Sequence, residues 1–141
     1  MLLYVHIPFC DSKCHYCAFN SYTTHKHLKS AYMQALLTQL DHELKTHALP
    51  FASIETLYLG GGTPSTLPPE AYETLFERLR PYLKEDAEIT AEANPNSATF
   101  PWLHGMRALG VNRISLGVQS FDDAKLRLLG RAHSARSRSL A

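Results

Sequence analysis

All three cysteines of this chain lie in one short stretch, IPFCDSKCHYCAF, at residues 7–19. Cys10, Cys14 and Cys17 follow the spacing C-x3-C-x2-C. A short irregular loop lets three thiolates converge on a metal ion or a cluster. A cubane iron–sulfur cluster that is held by only three cysteines keeps one iron open to another ligand. The odd number of cysteines therefore has a chemical reason, because an open iron is a place for a reaction.

Three alternative roles of these cysteines involve no cluster. In the first, the cysteines are buried structural residues. The clustering of all three in one loop argues against this role, because chance placement would scatter them. Cys14 and Cys17 have the spacing of a C-x-x-C redox pair, which leaves Cys10 without a role. A structural zinc site normally has four ligands, and His6 or His15 would supply the fourth. Metal analysis separates zinc from a cluster.

Apolar periodicity predicts four strand-and-helix units that position these residues. Strands are expected at residues 2–7, 54–59, 88–93 and 111–118. Helices are expected at residues 27–46, 68–83, 102–109 and 122–129, with Pro68 in a first turn and Gly110 at a C-terminal end. Strands that alternate with helices predict an α/β fold in which right-handed crossovers join parallel strands.

Unusual residues follow each of the four predicted strands. The cysteines follow the first, a Gly-Gly-Gly triplet at residues 60–62 follows the second, Glu92 and Asn94 end the third, and Gln119 ends the fourth. Ligands of parallel sheets gather at the carboxyl ends of the strands, where the strand-to-helix loops lie. The sequence therefore predicts one site at this edge of the sheet.

The composition excludes some classes of partner. The chain has 141 residues, 14 basic and 13 acidic side chains, and a formal net charge of +1. This balance gives no electrostatic footprint for nucleic acid or for an anionic membrane. The start, MLLYVHIPF, lacks the basic n-region of a signal peptide, and no apolar run approaches a membrane span. We therefore expect a globular cytoplasmic protein with reduced thiols.

The cysteine spacing, with an aromatic residue just before the last cysteine, resembles the signature of the radical S-adenosylmethionine (SAM) enzymes. In that family three thiolates hold a [4Fe–4S] cluster, and the open iron binds SAM and donates the electron that cleaves it. The resemblance implies that Cys10, Cys14 and Cys17 are the cluster ligands. It also implies the fold, which is the N-terminal four units of a partial (β/α)6 barrel with the cofactors in its open mouth.

Five further segments resemble the coproporphyrinogen-oxidase-like branch of this family. They are YCAFNSY, LYLGGGTPS, EANP, GVNRISLGVQSF and LGRAH, and with YVHIPFC they extend from Tyr4 to His133. Oxygen-independent coproporphyrinogen III dehydrogenases carry another cysteine two residues after the third ligand, where this chain has Phe19. That departure resembles the HemW-type heme chaperones. The expected function is therefore that of a HemW-like protein.

Two alternatives to a heme chaperone are kept. The first is an oxygen-independent coproporphyrinogen III oxidase, which converts coproporphyrinogen III to protoporphyrinogen IX. The second, from another class, is a small structural zinc-binding module without catalysis. The zinc module accounts for the cysteines but not for the glycines, the glutamate and the glutamine that are predicted on the same sheet edge.

The resemblance also implies which residues contact SAM. Backbone at the glycine triplet would receive its amino group, Glu92 would accept hydrogen bonds from the ribose, and Gln119 would have a matching role at the next strand end. Arg131 would pair with the carboxylate, unless it is a solvated surface arginine. The predicted SAM-binding residues, to which two tyrosines near the cluster are added, are Tyr4, Tyr16, Gly61, Gly62, Thr63, Glu92, Gln119 and Arg131.

The resemblance implies a longer protein. Residues 1–133 are expected to be the N-terminal part of the radical SAM core, and residues 134–141 an irregular tail rich in Ser and Arg. We expect a truncated or frameshifted product, with most residues that contact heme or a porphyrinogen lying beyond residue 141. An electron donor such as flavodoxin or ferredoxin is the other implied partner. The last strand would leave an uncovered edge, which predicts poor solubility or a binding partner.

Overall fold

Four parallel strands form one sheet in the computed structural model, which describes residues 1–134. The strands lie side by side in chain order and are β1 (Leu2–Ile7), β2 (Ile54–Gly61), β3 (Leu83–Ala93) and β4 (Arg113–Leu116). The helices are α1 (Lys29–Thr46), α2 (Glu73–Leu79), α3 (Phe100–Leu109) and α4 (Asp123–Leu128). The predicted α/β class with parallel strand-and-helix repeats is confirmed.

Helices cover one face of the sheet and build the core there. Successive side chains of a strand point to opposite faces, and the buried set includes Ile7 of β1, Leu59 of β2 and Ala91 of β3. They pack with buried residues of the helices, among them Met33, Leu37, Leu75, Phe76, Trp102 and Met106. Tyr4 and Tyr58, on alternate positions of β1 and β2, stay partly exposed.

Strand β3 begins five residues earlier than the apolar pattern predicts. Its first residue, Leu83, pairs with Ile54, and the register shifts between Ile54 and Thr56 before the regular ladder begins. Residues 84–86 are charged and therefore gave no apolar signal for a strand. The pairing of Leu83 with Ile54 makes this segment part of the strand, although its charged side chains do not indicate one.

Strand β4 is shorter than predicted because both ends of the expected segment have different roles. The backbone N–H of Val111 donates to the Met106 carbonyl at 3.0 Å and so completes the end of α3. After Leu116 the chain leaves the ladder, and Gln119 adopts a positive φ of 65°. The predicted helix at residues 27–46 begins with a 3-10 turn at Lys26–Leu28 before α1.

The predicted tail at residues 134–141 lies outside the described residues, except for Ser134. The division of the chain at residue 133 stays a prediction. None of the helices among residues 1–134 has both the length and the apolar character that crossing a membrane requires.

Candidate functional site

A cleft of about 310 Å³ opens at the carboxyl ends of the four strands. Each of the loops that follow a strand contributes to its lining. The lining includes Cys10, Cys14, Tyr16, Cys17, Gly61, Gly62, Thr63, Glu92, Asn94, Gln119 and Arg131. The structure thus brings together every residue predicted for the site except Tyr4.

The cysteine loop is held in place by backbone hydrogen bonds rather than by a regular element. Cys10 N–H donates to the Tyr22 carbonyl at 3.1 Å, and Tyr22 N–H donates to the Pro8 carbonyl at 2.7 Å. Cys17 N–H donates to the Cys14 carbonyl at 3.1 Å, which closes a tight turn. All three cysteines are free thiols, with Cys10 buried and the other two half-buried. The loop therefore presents three thiols to one cleft.

The glycine segment joins the end of β2 to this loop. Gly62 N–H donates to the Ile7 carbonyl, and Thr63 N–H donates to the Phe9 carbonyl, each at 2.8 Å. A Cβ atom on Gly62 would lie 2.8 Å from the Phe9 carbonyl oxygen and 3.0 Å from that of Ile7. Both neighbours are backbone atoms that cannot move aside. Glycine is therefore required by the chain's own packing, in addition to any ligand that approaches here.

Glu92 is fixed on the rim by two donors. Its Oε1 accepts from the Tyr58 hydroxyl at 2.8 Å, and its Oε2 accepts from Gly61 N–H at 3.1 Å. Burial and the hydrogen bond to Glu92 raise the pKa of the Tyr58 hydroxyl, which keeps it a donor. Sequence reasoning missed Tyr58. Its place in an alternating strand was visible, but the register that puts it beside Glu92 was not.

Arg131 lies in the cleft and not on a solvated surface. Its Nη1 donates to Cys14 Sγ at 3.1 Å, and its Nη2 donates to Asn94 Oδ1 at 2.8 Å and to the Gly117 carbonyl at 2.6 Å. Its Nε is buried and has no hydrogen-bond partner among the described residues. One guanidinium therefore connects the loops that follow β1, β3 and β4.

Tyr16 and Gln119 also line the cleft. Burial raises the pKa of the Tyr16 hydroxyl, and the neighbouring Arg131 cation partly offsets this effect. Gln119 has the positive φ given above, a conformation that is uncommon for residues other than glycine. Such backbone geometry is concentrated at binding sites, where the surrounding structure holds it.

Tyr4 lies apart from the cleft lining. It is three residues before the end of β1, which places its backbone roughly 10 Å below the rim. Its hydroxyl is 3.0 Å from Nδ1 of His6, and its ring stacks with that of Tyr58 at a centroid distance of 6.1 Å. A role of Tyr4 in SAM binding stays a prediction.

The histidines considered as a fourth zinc ligand have other contacts. Both ring nitrogens of His6 are used, since Nδ1 faces Tyr4 and Nε2 lies 2.9 Å from the Asn20 carbonyl oxygen. Nδ1 of His15 lies 3.1 Å from the Leu128 carbonyl oxygen. Neither histidine is part of the cleft lining. These contacts do not favour a zinc site that a histidine completes.

The donor set of the cleft fits an iron–sulfur cluster. Within residues 1–134, no group of three or more His, Cys, Asp or Glu side chains is gathered around one point as a single metal ion requires. A cubane cluster does not require this, because its three cysteine ligands would each bind a different iron. The cationic Arg131 beside Cys14 also suits a group that carries thiolate charge.

The chain belongs to the radical SAM superfamily, whose family model matches residues 4–138. Members of this superfamily in general use a [4Fe–4S] cluster and SAM. Among curated proteins, the chain is 44% identical to the heme chaperone HemW of Escherichia coli K12 over 134 residues, which cover 93% of this chain and 35% of that protein. It is 42% identical to the mitochondrial radical S-adenosyl methionine domain-containing protein 1 of Mus musculus, with 94% and 30% covered.

A solved structure supports the same assignment. The coproporphyrinogen III oxidase HemN from Escherichia coli, described as a radical SAM enzyme, superposes with a TM-score of 0.78 at 35% identity. The match covers 96% of this chain and 32% of that one. The chain therefore spans about a third of the length of the relatives it matches. The radical SAM fold predicted from the sequence is confirmed.

Proposed function

We propose that this chain is the N-terminal part of a HemW-type heme chaperone that binds a [4Fe–4S] cluster and SAM. One observation carries the proposal. The three cysteines share a single cleft with the glycine segment, Glu92, Gln119 and Arg131. The identity to HemW of Escherichia coli supports the choice within the superfamily.

The residues of the cleft have distinct roles in this proposal. Cys10, Cys14 and Cys17 hold the cluster, which when bound supplies the electron for reductive cleavage of SAM. Glu92 is suited to the ribose, because each carboxylate oxygen that accepts one bond from the protein keeps a second lone pair for a ligand hydroxyl. Arg131 places a permanent positive charge where a carboxylate would bind. The other SAM contacts are Tyr4, Tyr16, Gly61, Gly62, Thr63 and Gln119.

Anaerobic reconstitution with iron and sulfide tests the cluster and SAM together. We expect about four irons per chain and an electron paramagnetic resonance spectrum of the reduced state that changes when SAM is added. Cys17→Ser is expected to lose the cluster. Tight zinc without iron, or no metal at all, would contradict the proposal and support the zinc module or a chain without cofactor chemistry.

Coproporphyrinogen III oxidation is the second candidate, and the superposition with HemN favours it. Phe19 favours the chaperone instead, because it stands where those enzymes carry a further cysteine and it lines the cleft with 61% of its surface exposed. Heme and coproporphyrinogen III are each added to the reconstituted longer protein, because most of their contacts would come from the part that this chain does not span. A shifted heme absorption band without conversion of the porphyrinogen supports the chaperone, and formation of protoporphyrinogen IX supports the oxidase.

The remaining parts of the proposal concern the longer protein. Residues 1–133 would be the first part of its radical SAM core domain, and most contacts to heme or porphyrinogen would come from the part that this chain does not span. An external electron donor such as flavodoxin or ferredoxin would reduce the cluster. We propose a cytoplasmic location and no nucleic-acid partner, as the balanced charge of the chain suggests.

A further inference from the structure

We infer that Asn94 is a positioning residue that sets the hydrogen bonds received by the Sγ atoms of two proposed cluster ligands, Cys10 and Cys14. The inference rests on the proposed function, because it concerns how the protein would hold the cluster. Asn94 follows β3 and lies between the loops that carry Thr63 and Arg131. The sequence predicts Asn94 at the site but assigns it no ligand.

A continuous series of hydrogen bonds links Cys10 to Cys14 through Asn94. Cys10 Sγ lies 3.5 Å from Thr63 Oγ1, and Asn94 Nδ2 donates to that oxygen at 3.1 Å. On its other side, Asn94 Oδ1 accepts from Arg131 Nη2 at 2.8 Å, and Arg131 Nη1 donates to Cys14 Sγ at 3.1 Å. We call these five residues the sulfur relay. It crosses the loops after β1, β2 and β3 and the turn after α4.

The chemistry of the end groups fixes the direction of every bond. A guanidinium only donates, so the Asn94 oxygen must face Arg131 and its amide nitrogen must face Thr63. The Thr63 oxygen then accepts from Asn94, which leaves its own O–H to donate to Cys10. A metal-bound thiolate only accepts. Both sulfurs therefore receive a hydrogen bond when they carry negative charge.

Hydrogen bonds to cluster sulfurs stabilise the more negative, reduced state and so raise the reduction potential. The backbone N–H of Asn94 adds to its placement by donating to Ser65 Oγ at 3.2 Å. Asn94 thus acts on the cluster without touching it.

Aspartate at this position would still accept from Arg131 but would lack the N–H. The Thr63 hydroxyl would turn to the new carboxylate, and Cys10 would lose its donor.

The test compares Thr63→Val, Asn94→Asp and the double variant after reconstitution of the 141-residue chain. The midpoint potential of the cluster is measured by a redox titration that electron paramagnetic resonance follows. We expect both single variants to shift the potential to more negative values. The double variant should shift it by less than the sum, because two changes in one network are not additive. Thr38→Val, in helix α1, is the control for threonine loss and should leave the potential unchanged.

Three outcomes would overturn the inference. The first is a potential in Thr63→Val equal to that of the wild type, and the second is fully additive shifts in the double variant. If the wild-type chain takes up no iron, the proposed function fails instead. Amide hydrogen exchange of the metal-free chain then tests whether Asn94 holds the cysteine loop through this series of hydrogen bonds. Asn94→Leu should raise exchange in residues 10–17. The third outcome that would overturn the inference is hydrogen exchange in residues 10–17 of Asn94→Leu that equals the exchange in the wild type.

Discussion

Tyrosine hydroxyl groups fix the surroundings of the cleft at the scale of single residues. Tyr72 is fully buried, and its hydroxyl donates to the Pro64 carbonyl at 2.8 Å, directly after Thr63. Burial raises the pKa of this hydroxyl far above its ordinary value of 10.0. The partly exposed Tyr58 has a similar role, because its hydroxyl holds the Glu92 carboxylate. Each contact can be removed by a single substitution to phenylalanine.

Tyr72→Phe should lower the free energy of unfolding at pH 8 by about 1–3 kcal/mol, because a buried carbonyl loses its donor. The difference should shrink as the pH rises above 10. In the wild type the unfolded chain ionises Tyr72 while the folded chain cannot, so stability falls with pH, whereas phenylalanine adds no such dependence. Urea unfolding at pH 8 and pH 10.5 measures this. A difference that stays constant with pH would contradict the argument, and exposed Tyr22→Phe is the control.

Tyr58→Phe should weaken SAM binding by roughly fivefold, the equivalent of one hydrogen bond of about 1 kcal/mol. The reason is that Glu92 loses one of its two donors and is no longer fixed for the ribose. Isothermal titration of the reconstituted chain gives the affinity. Tyr82→Phe, in the turn before β3, should bind SAM like the wild type. Equal affinities for all three chains would show that Tyr58 does not position Glu92.

Helix α4 fastens the cysteine loop at the scale of elements. His15 N–H donates to the Leu129 carbonyl at 3.1 Å, and His15 Nδ1 faces the Leu128 carbonyl oxygen. Asp122 caps this short helix, since its Oδ1 accepts from Ala124 N–H at 2.8 Å and from Lys125 N–H at 3.2 Å. Hydrogen bonds from the backbone of Lys125 and Ala124 lower the pKa of Asp122.

Asp122→Ala should fray α4 and loosen the cysteine loop through His15. Amide hydrogen exchange is expected to rise in residues 123–130 and also in residues 10–17. Asp122→Asn keeps a capping oxygen and should stay close to the wild type at neutral pH. The wild-type cap is complete above the ordinary pKa of aspartate and weakens as the pH falls through the lowered value, whereas that of the Asn variant does not change. Faster exchange in α4 alone would contradict the coupling.

The sequence predicted these elements well where side chains carry the signal. The apolar periods of β1 and α1 located those two elements. The helix predicted at residues 68–83 is shorter, because its prolines begin a 3-10 turn at Pro69–Tyr72, α2 covers only Glu73–Leu79, and Leu83 already belongs to β3. The charged start of β3 was missed because its backbone pairing, and not its side chains, makes it a strand. The contacts of Arg131 with Cys14 were also out of reach, because the two residues meet only after every intervening unit has folded. Motif spacing predicted residues that the cleft brings together, and only the fold shows how they are held.

The sheet has two edge strands among residues 1–134, β1 and β4, and the relatives that the chain matches are about three times its length. Among the described residues, β4 pairs only with β3, so its outer backbone groups face away from the sheet. Ile114 of β4 is 36% exposed, and Phe121, in the loop that follows β4, is 81% exposed. An unpaired edge next to apolar surface is a template for association between chains.

The isolated chain should therefore self-associate through β4. Size-exclusion chromatography with light scattering is expected to give a mass that rises with protein concentration. Ile114→Lys places a charge in this edge strand and should reduce the association, as charged edges do in natural sheets. Phe100→Lys removes a more exposed apolar side chain (78%, against 36% for Ile114) from α3 and not from the edge strand, and should associate like the wild type. If both variants reduce association equally, exposed apolar area and not the strand edge drives it. A monomer at all concentrations would mean that the edge is protected without a partner.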